Sequence, residues 1–193
     1  MLCFKLECPS GWVNGGSDSV GCLYFHTTET MSWENAKLYC QNKRQGSHLV
    51  EIFDADQQTL VKQKTIENGI GKRWWIGLSD REQETTYKWA HSNQIATYFA
   101  WGPSEPGNTD SNSNDAYDEI ALWSSPDYYW ADISNGYTNN MYALCQYHPL
   151  SGLTRSGNEN WNKNHNDGNG IKYNLLLILS ALMYNFMPVN YPF

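Results

Sequence analysis

"SWENAKLYCQNK", Ser32 to Lys43, is the stretch on which the fold turns. Trp33, Ala36 and Cys40 recur at i, i+3 and i+7, the spacing that lines one face of a helix, and Ser32 stands before them as an N-cap. The predicted helix is amphipathic, and its buried face delivers Cys40.

Working outward, "DADQQTLVKQKTIENG" predicts a second helix, capped by Asp54 with Gln57 three residues on and stopped at Gly69. "SHLVEI" between the two helices is a short predicted strand. After Gly71 the texture changes to short aromatic and β-branched segments: "RWWIGLSD", "TTYKWA", "DEIALW", "YYWADI" and "MYALCQY". Gly, Pro, Asn and Ser separate them, as turns require. From Pro103 to Ala116 there is no hydrophobic periodicity, and a loop of that length inside a compact domain usually has a task.

The 193 residues suit one domain with extra segments, and nine tryptophans give ample material for its core. A net charge of -7, with the thirteen Lys and Arg scattered, excludes a nucleic-acid binder. Acidic groups favour partners that are neutral, cationic or bridged by metal. The cysteines, Cys3, Cys8, Cys22, Cys40 and Cys145, form no C-x-x-C pair and no zinc spacing with histidine. Their long separations suit disulfides and an oxidising compartment, with Cys3 the odd thiol in the N-terminal extension 1–7. "MLCFKLECPSGW" shows no apolar h-region of a secretory signal, but the cysteine pattern outweighs that and sets the expected location as extracellular.

Beyond His148 the chain turns rich in Asn and Gly, a linker composition, and ends in "LLLILSALMYNFMPV". That apolar run falls short of the roughly 20 residues that span a bilayer. Its place after a polar spacer suits a lipid-anchor attachment signal, the one route by which residues 149–193 would bring the chain to a membrane.

In order and spacing, these pieces resemble the C-type lectin-like domain. The matching segments are "CPSGW", "CLYF", "SWENAKLYC", "SHLVEI", "WIGLSD", "YKW", a W-x-x-x-E-P run in "WGPSEP", "WAD" and "YALCQY", spanning residues 8–148. The resemblance implies an α+β double-loop fold, with two helices flanking small antiparallel sheets and a long projecting loop. It also implies the pairs Cys8–Cys22 and Cys40–Cys145. A second internal disulfide of the family is missing here: Tyr117 or Ile120 and about Asn135 occupy its places, so the long loop is expected to be less well anchored.

Sugar-binding members of this family hold a calcium ion that accepts two vicinal hydroxyls, beside a proline that is typically cis. Carried over, Glu105 matches the first calcium ligand and Pro106 that proline, but Gly107 stands where an amide or acid belongs. In "WAD", Trp130 and Asp132 match, and Ala131 replaces the usual asparagine. The intermediate acid is Asp118, or Asp115 in the other register. Asn108, with Asp110, Asn112, Asn114 and Asp115, offers oxygen donors for the missing positions. A calcium ion takes six to eight oxygens, so each lost ligand weakens the site. An auxiliary calcium position maps to Asp80 and Glu84, residues that otherwise form a solvated acidic turn. Trp75, Trp89 and Trp101 match core positions. Trp123, Tyr128 and Tyr129 lie near the implied binding face, where a ring stacks on a sugar or anchors a protein.

No catalytic motif is present, and His26, His48, His91, His148 and His165 are isolated in the sequence. Asp118 and Glu119, adjacent on a strand, are expected on opposite faces. Two functions follow. The first is a carbohydrate-binding lectin with a weakened or altered calcium site, contacting its ligand through Glu105, Pro106, Asn108, Trp123 and Asp132. The second is a calcium-independent module that binds a cell-surface or secreted protein through the same face.

Overall fold

The computed structural model describes residues 7–107, 117–125 and 127–149. Cys3, Asn108, Asp110, Asn112, Asn114, Asp115, His165 and the tail, Pro149 apart, lie outside the described residues. In chain order the elements are β1 (Val13–Asn14), β2 (Cys22–Phe25), α1 (Trp33–Lys43), β3 (His48–Leu49), α2 (Ala55–Gly69), β4 (Arg73–Ser79), β5 (Lys88–Trp89), β6 (Glu119–Trp123), β7 (Tyr129–Ile133) and β8 (Met141–Tyr147).

Both helices start where their caps predict. The Ser32 hydroxyl accepts from Asn35 N at 3.4 Å. The Asp54 carboxylate accepts from Gln57 N at 2.8 Å, while Gln57 Oε1 reaches back to Phe53 N, also at 2.8 Å. Two exchanged bonds satisfy donors that a helix start leaves open. Helix α2 runs through Gly69 to a C-cap at Ile70, and only glycine fits at 69, where a Cβ would meet the Trp74 ring at 2.1 Å.

The strands run in the order β1-β2-β8-β4-β6-β7, with β3 also on β8 and β5 also on β4. Every pairing is antiparallel except β4 with β8, where Trp74 faces Tyr142 in a parallel register. That ladder joins two antiparallel groups into one mixed sheet. One group carries the ends of the domain, the other the segments around the long loop.

The core is tryptophan-rich on both sides of this sheet. Trp74, Trp75, Trp89 and Trp130 are fully buried. Trp33 Nε1 donates to Ile76 O, Trp75 Nε1 to Met31 O and Trp130 Nε1 to Gln58 Oε1, so three of the five buried indoles keep a polar partner. Trp101 is half-buried, stacked on Phe99 and edge-on to Trp130. Two disulfides close the frame, Cys8–Cys22 and Cys40–Cys145. The second ties α1 to β8 across 105 residues of sequence, worth about 4.7 kcal/mol in the chain-entropy picture.

Candidate functional site

The segment before the long loop is fixed to β7 by backbone bonds. Trp130 N donates to Ala100 O and Gly102 N to Trp130 O, both at 2.8 Å. The chain then turns back on itself, with Glu105 N donating to Gly102 O at 3.1 Å and Ser104 in the left-handed region. The Glu105–Pro106 peptide bond is cis. Gly107 N donates to Asp132 Oδ1 at 2.9 Å, which binds the strap to β7.

Glu105 and Asp132 are thereby brought side by side. Asp132 is buried, and Glu105 Oε2 is buried with no hydrogen-bond partner among the described residues. Burial, then the hydrogen bond and charge of Asp132, push the Glu105 carboxyl up to about 7. The backbone N–H groups of Gly107 and Asp132 offset part of this. A Cβ added at Gly107 would stand 3.5 Å from both Asp132 Oδ1 and Glu105 Oε2, in ordinary contact. The place of the missing amide is therefore directly over the carboxyl pair, with room for a side chain. Ala131 alternates to the other side of β7 and packs with Trp75, Ala121 and Ala143.

The intermediate acid, Asp118, is engaged elsewhere. Its Oδ2 accepts from Asn135 Nδ2 at 2.6 Å and lies 3.7 Å from Arg81 Nε. The same guanidinium pairs with Glu119 and with Glu34 of α1. Asp118 and Glu119 were expected on opposite faces, yet one arginine meets both. Strand alternation does not govern Asp118, because β6 begins at Glu119. Burial pushes the Glu119 carboxyl up to about 7 against the opposing pull of Arg81. Arg81 was missed in the sequence because it sits in an acidic turn without periodicity. The Asp118–Asn135 bond joins the two segments from which the second internal disulfide is missing.

Asp80 and Glu84 lie in the turn after β4. Asp80 is buried, takes Thr85 N on Oδ2 at 3.0 Å and leaves Oδ1 unpartnered among the described residues. Burial pushes its carboxyl up to about 6, with Glu84 and Asp118 adding like charge. Burial, then the charge of Asp80, raises the Tyr87 phenol well above the usual range. Across the described residues, no group of three or more His, Cys, Asp or Glu is arranged to hold a metal ion. Glu105 and Asp132 fit a hard cation by chemistry and by the unpartnered oxygen, but they supply only part of the six to eight oxygens calcium takes.

The aromatic residues divide. Tyr128 belongs to the core, its hydroxyl bound to Gly71 N and Gly69 O. Trp123 ends β6 opposite Tyr129, three residues along the ladder from the Ile120–Asp132 pair and therefore roughly 10 Å away. The Arg73 guanidinium lies 3.5 Å over its ring. Tyr129 is exposed, with Lys62 near its ring. Trp123 is thus not brought together with Glu105.

The family model of the lectin C-type domain matches residues 29–147. The human C-type lectin domain family 17, member A, is 29% identical over 144 residues, which cover 75% of this chain and 33% of that protein. A perlucin-like protein of Mytilus galloprovincialis is 27% identical over 143 residues, covering 72% and 83%. Among solved structures, the human scavenger receptor C-type lectin carbohydrate-recognition domain superposes with a TM-score of 0.58 at 28% identity, covering 74% of this chain and all of that one. Human lithostathine superposes at 0.60 and 26% identity, covering 76% and 94%. The match spans well over half of the sequence and reproduces its order of elements, so the chain belongs to the lectin C-type domain family.

Proposed function

We propose that this chain is a non-catalytic extracellular recognition module that binds carbohydrate through the face built on Glu105, Pro106 and Asp132, with an altered calcium site. The carrying observation is the buried Asp132 carboxylate beside the half-buried Glu105 under Gly107, with Glu105 Oε2 shielded and without a partner among the described residues. A shielded carboxylate oxygen without a donor, standing beside a second acid, is a place that draws a cation or a hydrogen-bond donor. Glu105 and Asp132 would hold calcium there, with Asn108 or its neighbours completing the set, and the ion would supply the contact to two vicinal hydroxyls of a glycan. The chain's own groups would orient that glycan by accepting from its hydroxyls, and Trp123 would act only as a distant contact of a larger ligand. Asp80 and Glu84 remain the proposed auxiliary position, which steadies the loop without touching ligand.

A second reading rests on Arg81 and Asn135. Their hold on Asp118 removes one acid from the ion and suits a calcium-independent module that binds a secreted or cell-surface protein. Binding to immobilised mannose, galactose and N-acetylglucosamine conjugates, in calcium and in chelator, separates the two. The lectin reading expects binding to at least one conjugate that chelator weakens tenfold or more and that Glu105→Gln loses. Binding that is indifferent to chelator and to Glu105→Gln, or absent throughout, sinks it.

A further inference from the structure

Three histidines that are scattered in the sequence meet in the fold, correcting their expected isolation. His48 comes from β3, His91 from the turn after β5, and His148 from the residue after β8. The His48 and His91 rings stack with centroids 3.8 Å apart and planes 7° from parallel; His148 lies 6.4 Å from His48 at 27°. Stacked faces do not converge their nitrogens, so this is no chelate. His48 Nδ1 meets Leu49 O at 2.8 Å and His148 Nδ1 meets Asp18 O at 3.2 Å. A carbonyl only accepts, so each Nδ1 carries the proton and each neutral ring is the Nδ1–H tautomer.

The stack sits where three pieces of chain are held. The turn at His91 is bound through Glu51 Oε1, which accepts His91 N at 2.8 Å and Ser92 N at 3.0 Å. His148 reaches the loop between β1 and β2 through Asp18. Glu51 N donates to Gln146 Oε1, and Gln146 Nε2 to Val20 O, so the residue that holds the His91 turn is tied by buried bonds to β8 and to the loop before β2. The charged groups facing the stack are few. Glu51 is the carboxylate, already committed to two backbone N–H groups. Arg44 lies 4.7 Å over the Tyr147 ring, one residue from His148, and has the same sign as a protonated imidazole. Asp18 contributes its carbonyl.

We propose that the His48–His91–His148 stack is an acid-sensitive latch: a neutral His48 ring keeps it closed, and acid, by charging the stacked rings, favours a form in which the turn at His91 opens and His48 reaches water. Two positive rings face to face repel, and the buried member has no water to solvate it. Burial, with the charges of His91 and His148, holds His48 down to about 4 despite the Leu49 carbonyl. The sign follows. Below about 6.5 an unfolded imidazole takes a proton that folded His48 refuses, so its contribution is complete above that pH and is lost as pH falls toward 4. Glu105, Glu119 and Asp80, held up, change stability in the opposite direction, so the latch is read from variant minus wild type.

His91→Gln and His148→Gln alter exposed residues and leave the buried ring in place. Urea unfolding of wild type and each variant is compared at pH 7.5 and pH 5.0. Relative to wild type, the folding equilibrium constant of each variant is expected to rise on acidification by about two-fold, since the variant removes one ring's charge while the burial that chiefly holds His48 down is left in place. A variant-to-wild-type ratio that does not change with pH overturns the latch. Amide exchange at His91 and Ser92, corrected for intrinsic pH dependence, gives a second reading on the wild type. It should accelerate at pH 5.0; undiminished protection there also overturns the proposal.

Discussion

Cys40 and Cys145 are joined by a covalent bond inside an apolar cluster, whereas Asp118 and Asn135 are joined by one hydrogen bond beside an arginine. Both links close chain onto the same sheet, the first across 105 residues and the second across 17. The first is surrounded by Trp33, Ala36, Leu49 and Trp75, all buried, and its strength is independent of pH and salt. The second depends on Arg81, which balances Asp118, Glu119 and Glu34 at once. The difference teaches how this fold divides its labour. Apolar area and cystine hold the frame, and acids with raised proton affinity line the region proposed to meet a ligand.

Opening the first link should have the largest effect. Cys40→Ala with Cys145→Ala is expected to cost about 4 kcal/mol, read as a lower urea midpoint at pH 7.5. A loss near zero would mean that the tryptophan core alone sets the frame.

Arg81→Met tests the second link. It leaves Glu119 buried without its counter-charge, an expected loss of about 2 kcal/mol, reduced from the fully buried case because Arg81 is itself partly exposed. The pH dependence follows from Glu119 being held up to about 7. Folded Glu119 binds a proton where the unfolded chain does not, so its penalty fades as pH falls below 7. The variant should therefore be hurt more at pH 8 than at pH 5.5, and adding Glu119→Gln should restore most of the difference. An equal loss at both pH values would assign Arg81 a packing role instead.

Gly107→Asn should change stability least, by under about 0.5 kcal/mol, since among the described residues the added Cβ meets nothing closer than 3.5 Å and the backbone is outside the left-handed region. Its amide would reach both carboxyls, so calcium affinity measured by calorimetry should rise at least tenfold. No gain would show that the strap holds its donors in a different arrangement from the family's.

The two regions also differ in how much could be foreseen. The helix carrying Cys40, the Asp54–Gln57 cap and the tryptophan strands are legible because local periodicity and caps decide them. Glu105, Gly107, Ala131 and Asp132 are legible only through resemblance, since nothing local marks a cis peptide bond or a carboxyl pair. Asn135 was legible only as the place of an absent cysteine, and Arg81 and the meeting of the three histidines were not legible at all. Each acts through partners on other elements, Glu34 on α1 with Glu119 on β6, or β3 with the end of β8, and only the closed fold sets those distances.

The most direct test of the carboxyl pair as an ion-binding recognition centre is the thermal midpoint of wild type and Glu105→Gln in millimolar calcium and in chelator. An ion that binds only the folded chain raises the midpoint, so the wild type should gain a few degrees in calcium and the variant none. A wild-type midpoint unchanged by calcium, or a gain that survives in Glu105→Gln, would contradict it.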